Sequence, residues 1–181
     1  GRKISQPRRS RRCGNVRLAG IPAGRDPVGC GMQNMSDLST KWLFRPGRAG
    51  RRWARGSDNS GCVPVDLPHS WNTTDTFQPG VEYYRGRGAY RKEFVLAHDL
   101  PVFGSNGTWL LESEGFYGTG DIWLNGSKAA EVDGEYLGFS LDVGRFLVPG
   151  TNMLAVRLTN RCRSFVLPGI SMPDFLLHGG L

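Results

Sequence analysis

The sequence predicts an all-β fold, a two-sheet antiparallel sandwich, on three observations. Short β-like runs recur at intervals of about 8–15 residues from Lys41 onward, with turn chemistry between them. No stretch carries apolar residues at i, i+3, i+4 and i+7 over three turns, so no long helix is expected. The 181 residues include 26 glycines and 11 prolines, the punctuation that many short strands need.

In chain order the candidate strands are Trp42–Phe44, Val63–Leu67, Ala89–Leu96, Trp109–Glu114, Tyr117–Leu124, Lys128–Val132, Phe139–Val143 and Met153–Asn160. The last alternates cleanly, with Leu154, Val156 and Leu158 on one face and Ala155, Arg157 and Thr159 on the other. In Ile122-Trp123-Leu124-Asn125-Gly126-Ser127-Lys128 the Asn-Gly pair tolerates positive φ at both turn positions and predicts a type I′ hairpin. Pro149-Gly150 places a second turn just before the final strand.

The length suits one domain and falls short of the roughly 250 residues of a (β/α)₈ barrel. No apolar run approaches the 18 or so residues of a membrane helix, and no charged start followed by an apolar stretch marks a signal peptide. The net charge of +7 resides in residues 1–31, which hold eight basic side chains and one acidic. From Met32 onward, 15 basic and 15 acidic residues balance.

Residues 1–35 therefore read as a disordered basic leader ahead of a sandwich over 36–181, because an Arg-, Gly- and Pro-rich segment buries too little apolar surface to offset its ordering entropy. The chain begins at Gly1, and Met32 and Met35 stand just before the first expected strand. That suggests a translation start downstream of Gly1. A nucleic-acid-binding arm is the functional alternative for the leader and ranks last among the readings.

Cys13, Cys30, Cys62 and Cys162 lack C-x-x-C spacing, so no zinc site, and no other metal or cofactor, is expected. Arg45–Arg55, with five arginines, reads as a solvated loop, since the domain has no second basic stripe. Arg85-Gly86-Arg87-Gly88 reads as a turn.

Asp66, His69 and Ser70 are the residue types of a hydrolase triad, but no Gly-x-Ser-x-Gly elbow surrounds the serine. His69 reads instead as closing a strand end on a backbone hydrogen bond. Glu112 and Glu114 share one strand face and could act as paired carboxylates, though the simpler reading sends both to solvent. Asn34, Asn72, Asn106 and Asn125 match the glycosylation sequon. Asp174, beside Phe175, is a carboxylate next to an aromatic, a pair able to hold vicinal sugar hydroxyls and cover a sugar face, though an acidic loop residue is more often simply solvated.

Seven segments in order give the chain a family resemblance over roughly residues 38–181. They are Leu67-Pro68-His69-Ser70-Trp71-Asn72, Tyr83 to Phe94, Leu111-Glu112-Ser113-Glu114-Gly115, Asp121-Ile122-Trp123-Leu124-Asn125-Gly126, Gly134 to Phe139, Gly150 to Arg157, and Asp174-Phe175 through Gly179-Gly180-Leu181. Together they resemble the N-terminal sugar-binding domain of glycoside hydrolase family 2, nearest to β-galactosidase-like members.

The resemblance implies a jelly-roll β-sandwich of the galactose-binding-domain type. It makes Pro68, His69 and Trp71 a structural corner. It matches Asp174 to an aspartate that reaches a neighbouring barrel and holds sugar hydroxyls, with Tyr84 and Arg85 approaching the same place. The family pattern continues beyond Gly179-Gly180-Leu181 into further sandwich domains and a barrel that carries two glutamates. The chain then reads as a fragment of a retaining glycosidase acting on a β-galactoside, glucuronide or mannoside, and inactive alone. Its partners would be that substrate and the other domains, with no membrane. The alternative is a stand-alone carbohydrate-binding module. Two departures, Ala89 for a usual Trp and Ser113 for a usual Phe, remove large side chains at a cost of roughly 3 kcal/mol each if unrelieved.

Overall fold

The computed structural model describes residues 16–21, 33–47, 49, 51–56, 58–75, 78–97, 108–135, 137–161 and 179–181. Its strands are β1 (Val16–Ile21), β2 (Gln33–Asp37), β3 (Trp42–Pro46), β4 (Val63–Val65), β5 (Arg87–Leu96), β6 (Thr108–Ser113), β7 (Tyr117–Leu124), β8 (Ser127–Glu135), β9 (Phe139–Asp142) and β10 (Gly150–Thr159). Among the described residues a five-residue helix, α1 (Arg51–Arg55), follows β3, and a 3₁₀ turn spans Gly144–Phe146. All eight expected strands are present.

The strands form two antiparallel sheets, one in the order β2-β1-β6-β9 and the other β4-β3-β5-β10-β7-β8. Period-two alternation places one side of each strand between the sheets. Leu18, Trp109 and Leu111 come from the smaller sheet, and Trp42, Phe44, Tyr90, Ile122, Leu154, Val156 and Leu158 from the larger, into one core cluster. Leu154, Val156 and Leu158 point inward as the sequence pattern requires. Asn125 (φ 49°) and Gly126 (φ 76°) form the positive-φ pair of the β7–β8 hairpin.

The 1–35 leader reading needs correction. Val16–Ile21 runs antiparallel between β2 and β6, with Val16 and Leu18 buried in the core. Alternation of Val16, Leu18 and Gly20 with Arg17 and Ala19 gives this short strand an apolar inner side despite its basic neighbours. The sandwich thus begins at least at Val16; residues 1–15 and 22–32 lie outside the described residues.

The solvated-loop reading of Arg45–Arg55 is also overturned. α1 lies across the outer face of the larger sheet, where Ala49, Trp53 and Ala54 are buried with Ala89, Trp123 and Ala155 in a second apolar cluster. Ala89 is therefore buried beneath this segment, outside the space between the sheets. Ser113 is buried on the inner side of β6, its hydroxyl donating to Gly115 O at 3.4 Å.

Arg91 on β5 fastens α1 in place. The residue is 2% exposed, and its guanidinium lies 4.8 Å from the centre of the Trp53 ring. It donates to Trp53 O (2.8 Å) and Asp58 O (2.9 Å), and also to Gly56 O and Asn59 Oδ1. Elsewhere that outer face carries an ionic cluster. Asp121 on β7 binds Arg157 on β10 and Lys128 on β8, the latter at 2.7 Å. Burial pushes the Asp121 carboxyl up, but hydrogen bonds from Lys128 and Arg157 prevail and hold it below the usual carboxylate range.

Candidate functional site

Of the residues singled out from the sequence, Asp66, His69 and Ser70 do not come together as a triad. Asp66 Oδ1 accepts the Lys41 N–H at 2.7 Å, at the far side of the Leu67–Pro68 cis peptide from His69. Ser70 Oγ donates to Gly179 O at 3.0 Å. His69 Nδ1 lies 2.9 Å from the Tyr90 hydroxyl, so its partner is a phenol where a backbone group was expected. Phe44, His69, Trp71 and Tyr90 form one aromatic group, with Phe44 and Trp71 stacked at 5.9 Å. The implied structural corner is present.

Burial lowers the His69 pKa and raises that of Tyr90 far above its ordinary value. A histidine whose folded pKa is depressed binds a proton more readily when unfolded. Its contribution is complete above the unfolded value near 6.5 and is lost as pH falls through that value toward the lower folded one. Urea unfolding at pH 5 and pH 7.5 should therefore show a larger loss at pH 5 in the parent chain than in a His69→Phe variant. An identical pH response in both would refute this.

Glu112 and Glu114 have separate partners. Glu112 lies opposite Ser140 on β9, and the exposed Glu114 forms an ion pair with Arg17 at 3.2 Å. Cys62 is a half-buried free thiol, and among the described residues no cluster of three or more His, Cys, Asp or Glu could hold a metal ion. No described helix is long and apolar enough to cross a membrane.

A dense polar network instead occupies one end of the sandwich, where β10 finishes and residues 179–181 return. Asn72, read from sequence only as a sequon, is fully buried and cannot accept a glycan. Its Nδ2 donates to Asp75 Oδ2 (2.8 Å) and Tyr84 O (3.0 Å), and its Oδ1 accepts from Gly179 N (2.9 Å). Asn160, just past β10, donates through Nδ2 to Asn72 Oδ1 (2.9 Å) and Tyr84 O (3.1 Å), while its Oδ1 accepts from Gly86 N (2.8 Å). Asp75 Oδ2 also accepts the Tyr84 N–H at 2.9 Å.

The backbone closes around this network. His69 and Leu181 exchange both backbone bonds, at 2.9 and 3.1 Å, and Trp71 N donates to Gly179 O at 3.1 Å. The Trp71 indole lies so close over the Gly179 Cα that no β-carbon fits there, which ties this position to glycine.

Two of the three expected site residues sit at this network. Tyr84 is 38% exposed and is the single exposed aromatic among the described residues. Its hydroxyl donates to Arg87 O (3.1 Å) and accepts from Arg87 N (3.2 Å), leaving the ring face, not the hydroxyl, available to a ligand. Arg85 lies with its guanidinium 5.8 Å from the Tyr83 ring centre. The turn expected over Arg85-Gly86-Arg87-Gly88 is shorter than that: the chain bends at Gly86, and Arg87 and Gly88 already pair with β10 as the start of β5. Asp174 lies outside the described residues, but the chain leaves for it at Arg161 and returns from it at Gly179, both at this end. Sequence reasoning missed Asn72 and Asn160 as a pair, because residues 88 positions apart carry no local signal of their contact.

No family model matches the chain. A β-galactosidase of Thermoanaerobacter pseudethanolicus is 25% identical over 151 residues, covering 82% of this chain and 20% of that protein. A Bacteroides uniformis β-glucuronidase structure superposes with a TM-score of 0.66 at 27% identity, over 79% of this chain and 16% of that one. A glycosyl hydrolase family 2 member from Bacteroides cellulosilyticus gives a TM-score of 0.59 at 27% identity, over 70% of this chain and 18% of that one.

The chain spans between 10% and 20% of the length of the curated relatives it matches, so it corresponds to one domain of such proteins. The stand-alone carbohydrate-binding module is not favoured, since the relatives are glycosidases of which the chain spans only a part. In sequence and in fold, the chain resembles one β-sandwich domain of family 2 β-galactosidases and β-glucuronidases.

Proposed function

We propose that this domain forms the sugar-facing edge of a retaining β-glycosidase acting on a β-galactoside or β-glucuronide, with hydrolysis carried out by a glutamate pair outside these 181 residues. The observation that carries the reading is the convergence of Tyr84-Arg85, Asn160-Arg161 and Gly179 at one end of a fold matched to such glycosidases. In this reading the Asp174 carboxylate accepts hydrogen bonds from sugar hydroxyls, the Tyr84 ring lies against the sugar's apolar face, and Arg85 donates from the turn beside it. The domain orients the sugar and performs no bond cleavage itself.

A chimera tests this: the chain replaces the corresponding domain of the Bacteroides uniformis β-glucuronidase, and nitrophenyl glucuronide and galactoside hydrolysis are measured. Activity should appear with one of the two, above that of the domain-deleted enzyme. Asp174→Asn should then lower kcat/KM by about a hundredfold, the loss of charge-assisted hydrogen bonds to the sugar in the transition state. A folded chimera without activity, or an Asp174→Asn variant as active as its parent, would sink the reading.

A further inference from the structure

We propose that Asn72 and Asn160 are the positioning residues of this edge, two carboxamides that hold its separate chain segments as one unit without touching sugar themselves. The proposal rests on the glycosidase reading for its consequence, though not for its geometry. Both side chains are at most 1% exposed, so neither can meet a ligand. A carboxamide has two N–H donors and an oxygen that accepts twice. Asn72 uses all four positions, on Asp75, Tyr84, Asn160 and Gly179. Asn160 links Asn72 and the Tyr84 carbonyl to the Gly86 N–H.

The segments so joined are those that carry the expected sugar contacts. Tyr84 O receives an amide from each asparagine, and its N–H is held by Asp75, which Asn72 holds in turn. The backbone before and after residues 162–178 is fixed at Asn160 and Gly179. Thr159 Oγ1 adds a bond to Gly86 O at 2.8 Å. Buried bonds in such a closed set reinforce one another, and removing one member leaves its partners without water to replace it. The turn bearing Tyr84 and Arg85 and the return at Gly179 are therefore coupled through the Asn160–Asn72 bond, so that removing either carboxamide loosens both.

Amide hydrogen exchange on the full chain tests the coupling without any sugar. In Asn72→Ala and in Asn160→Ala, the Gly86 and Gly179 amides should both exchange faster by about tenfold or more, while Tyr90 and Val156 in mid-sheet keep their protection. Asn160→Asp still offers an acceptor to the Gly86 N–H, so it should restore protection at Gly86 but not at Gly179. Should the alanine variants fail to fold, this split in the aspartate variant carries the test alone.

Faster exchange only at each residue's direct partner, or equal loss across the core, would overturn the proposal. In the active chimera, the same alanine changes should lower kcat/KM by about tenfold with the melting temperature of the other domains unchanged, and Asn160→Asp should recover part of it. Parental rates in those variants would likewise overturn it. A parent chimera that hydrolyses nothing would instead count against the glycosidase reading, leaving the exchange result to decide the coupling.

Discussion

Replacing Gly118 with alanine should remove most of the stability of the domain. Gly118 sits on β7 at φ 106°, in a region that side-chain-bearing residues rarely enter. A β-carbon there would overlap the Thr159 carbonyl oxygen of β10, and both partners of the collision are backbone. No rotamer change relieves it. The β7–β10 ladder, which pairs Thr119 with Thr159 and Asp121 with Arg157, would have to part near the network around Asn160. The expected loss is about 4 kcal/mol or more, comparable to the whole margin of a small domain. Gly61 is the control, because it also has positive φ (67°) but open space around it. Gly61→Ala should cost only about 1–2 kcal/mol. Urea midpoints for the two variants that fall within 1 kcal/mol of each other, converted through their m-values, would contradict the argument.

The second large effect is expected at Arg91. Arg91→Met keeps the length and apolar contact of the side chain and removes its donors. The guanidinium's oxygen partners at Trp53, Gly56, Asp58 and Asn59 all belong to the α1 segment or the loop after it, so their loss frees that segment from the sheet. Hydrogen bonds from a charged donor are worth about 1.5–3 kcal/mol each and are not additive, and a total near 3 kcal/mol is expected. For a chain of this size that lowers the melting temperature by roughly 6–12 °C. Arg91→Lys should recover little, since an ammonium cannot span four acceptors in a plane. Limited proteolysis distinguishes this from general destabilisation, with new cuts expected between residues 51 and 59 before any in β5 or β10. Cleavage that begins elsewhere would show that Arg91 does not hold the helix.

The contrast between these residues and the strands explains what could be read from the chain in advance. Strand β10 was legible because Leu154, Val156 and Leu158 alternate with polar or small residues over a length that no helix would produce. The hairpin at Asn125-Gly126 was legible because its geometry depends on two adjacent residues. Strand β1 was not, because its alternating window is six residues long and lies in a stretch whose composition points to disorder. Nor was α1, whose apolar content amounts to Trp53 and Ala54 among arginines; it is held by Arg91, some 40 positions later.

For the site, the resemblance directed attention to Tyr84 and Arg85, and the structure brings both to the network end. Asn72 and Asn160 escaped because an asparagine in a turn and another after a strand are each unremarkable in isolation. Only the fold makes them neighbours. His69 was correctly kept out of a triad, but its phenol partner across the aromatic corner could not be inferred from the residues beside it.

Ala89 and Trp53 carry a consequence for descent. The family resemblance implies a tryptophan rooted in the strand at position 89, whereas here that position is an alanine buried in the same cluster as a tryptophan rooted in the helix. Here the cluster takes an indole from the helix, beside that of Trp123 on β7. A lineage restoring tryptophan at 89 while keeping Trp53 would crowd the cluster, and one losing Trp53 while keeping Ala89 would hollow it. Among relatives the two positions should therefore vary as a linked pair, with arginine kept at 91 wherever the helix carries the tryptophan.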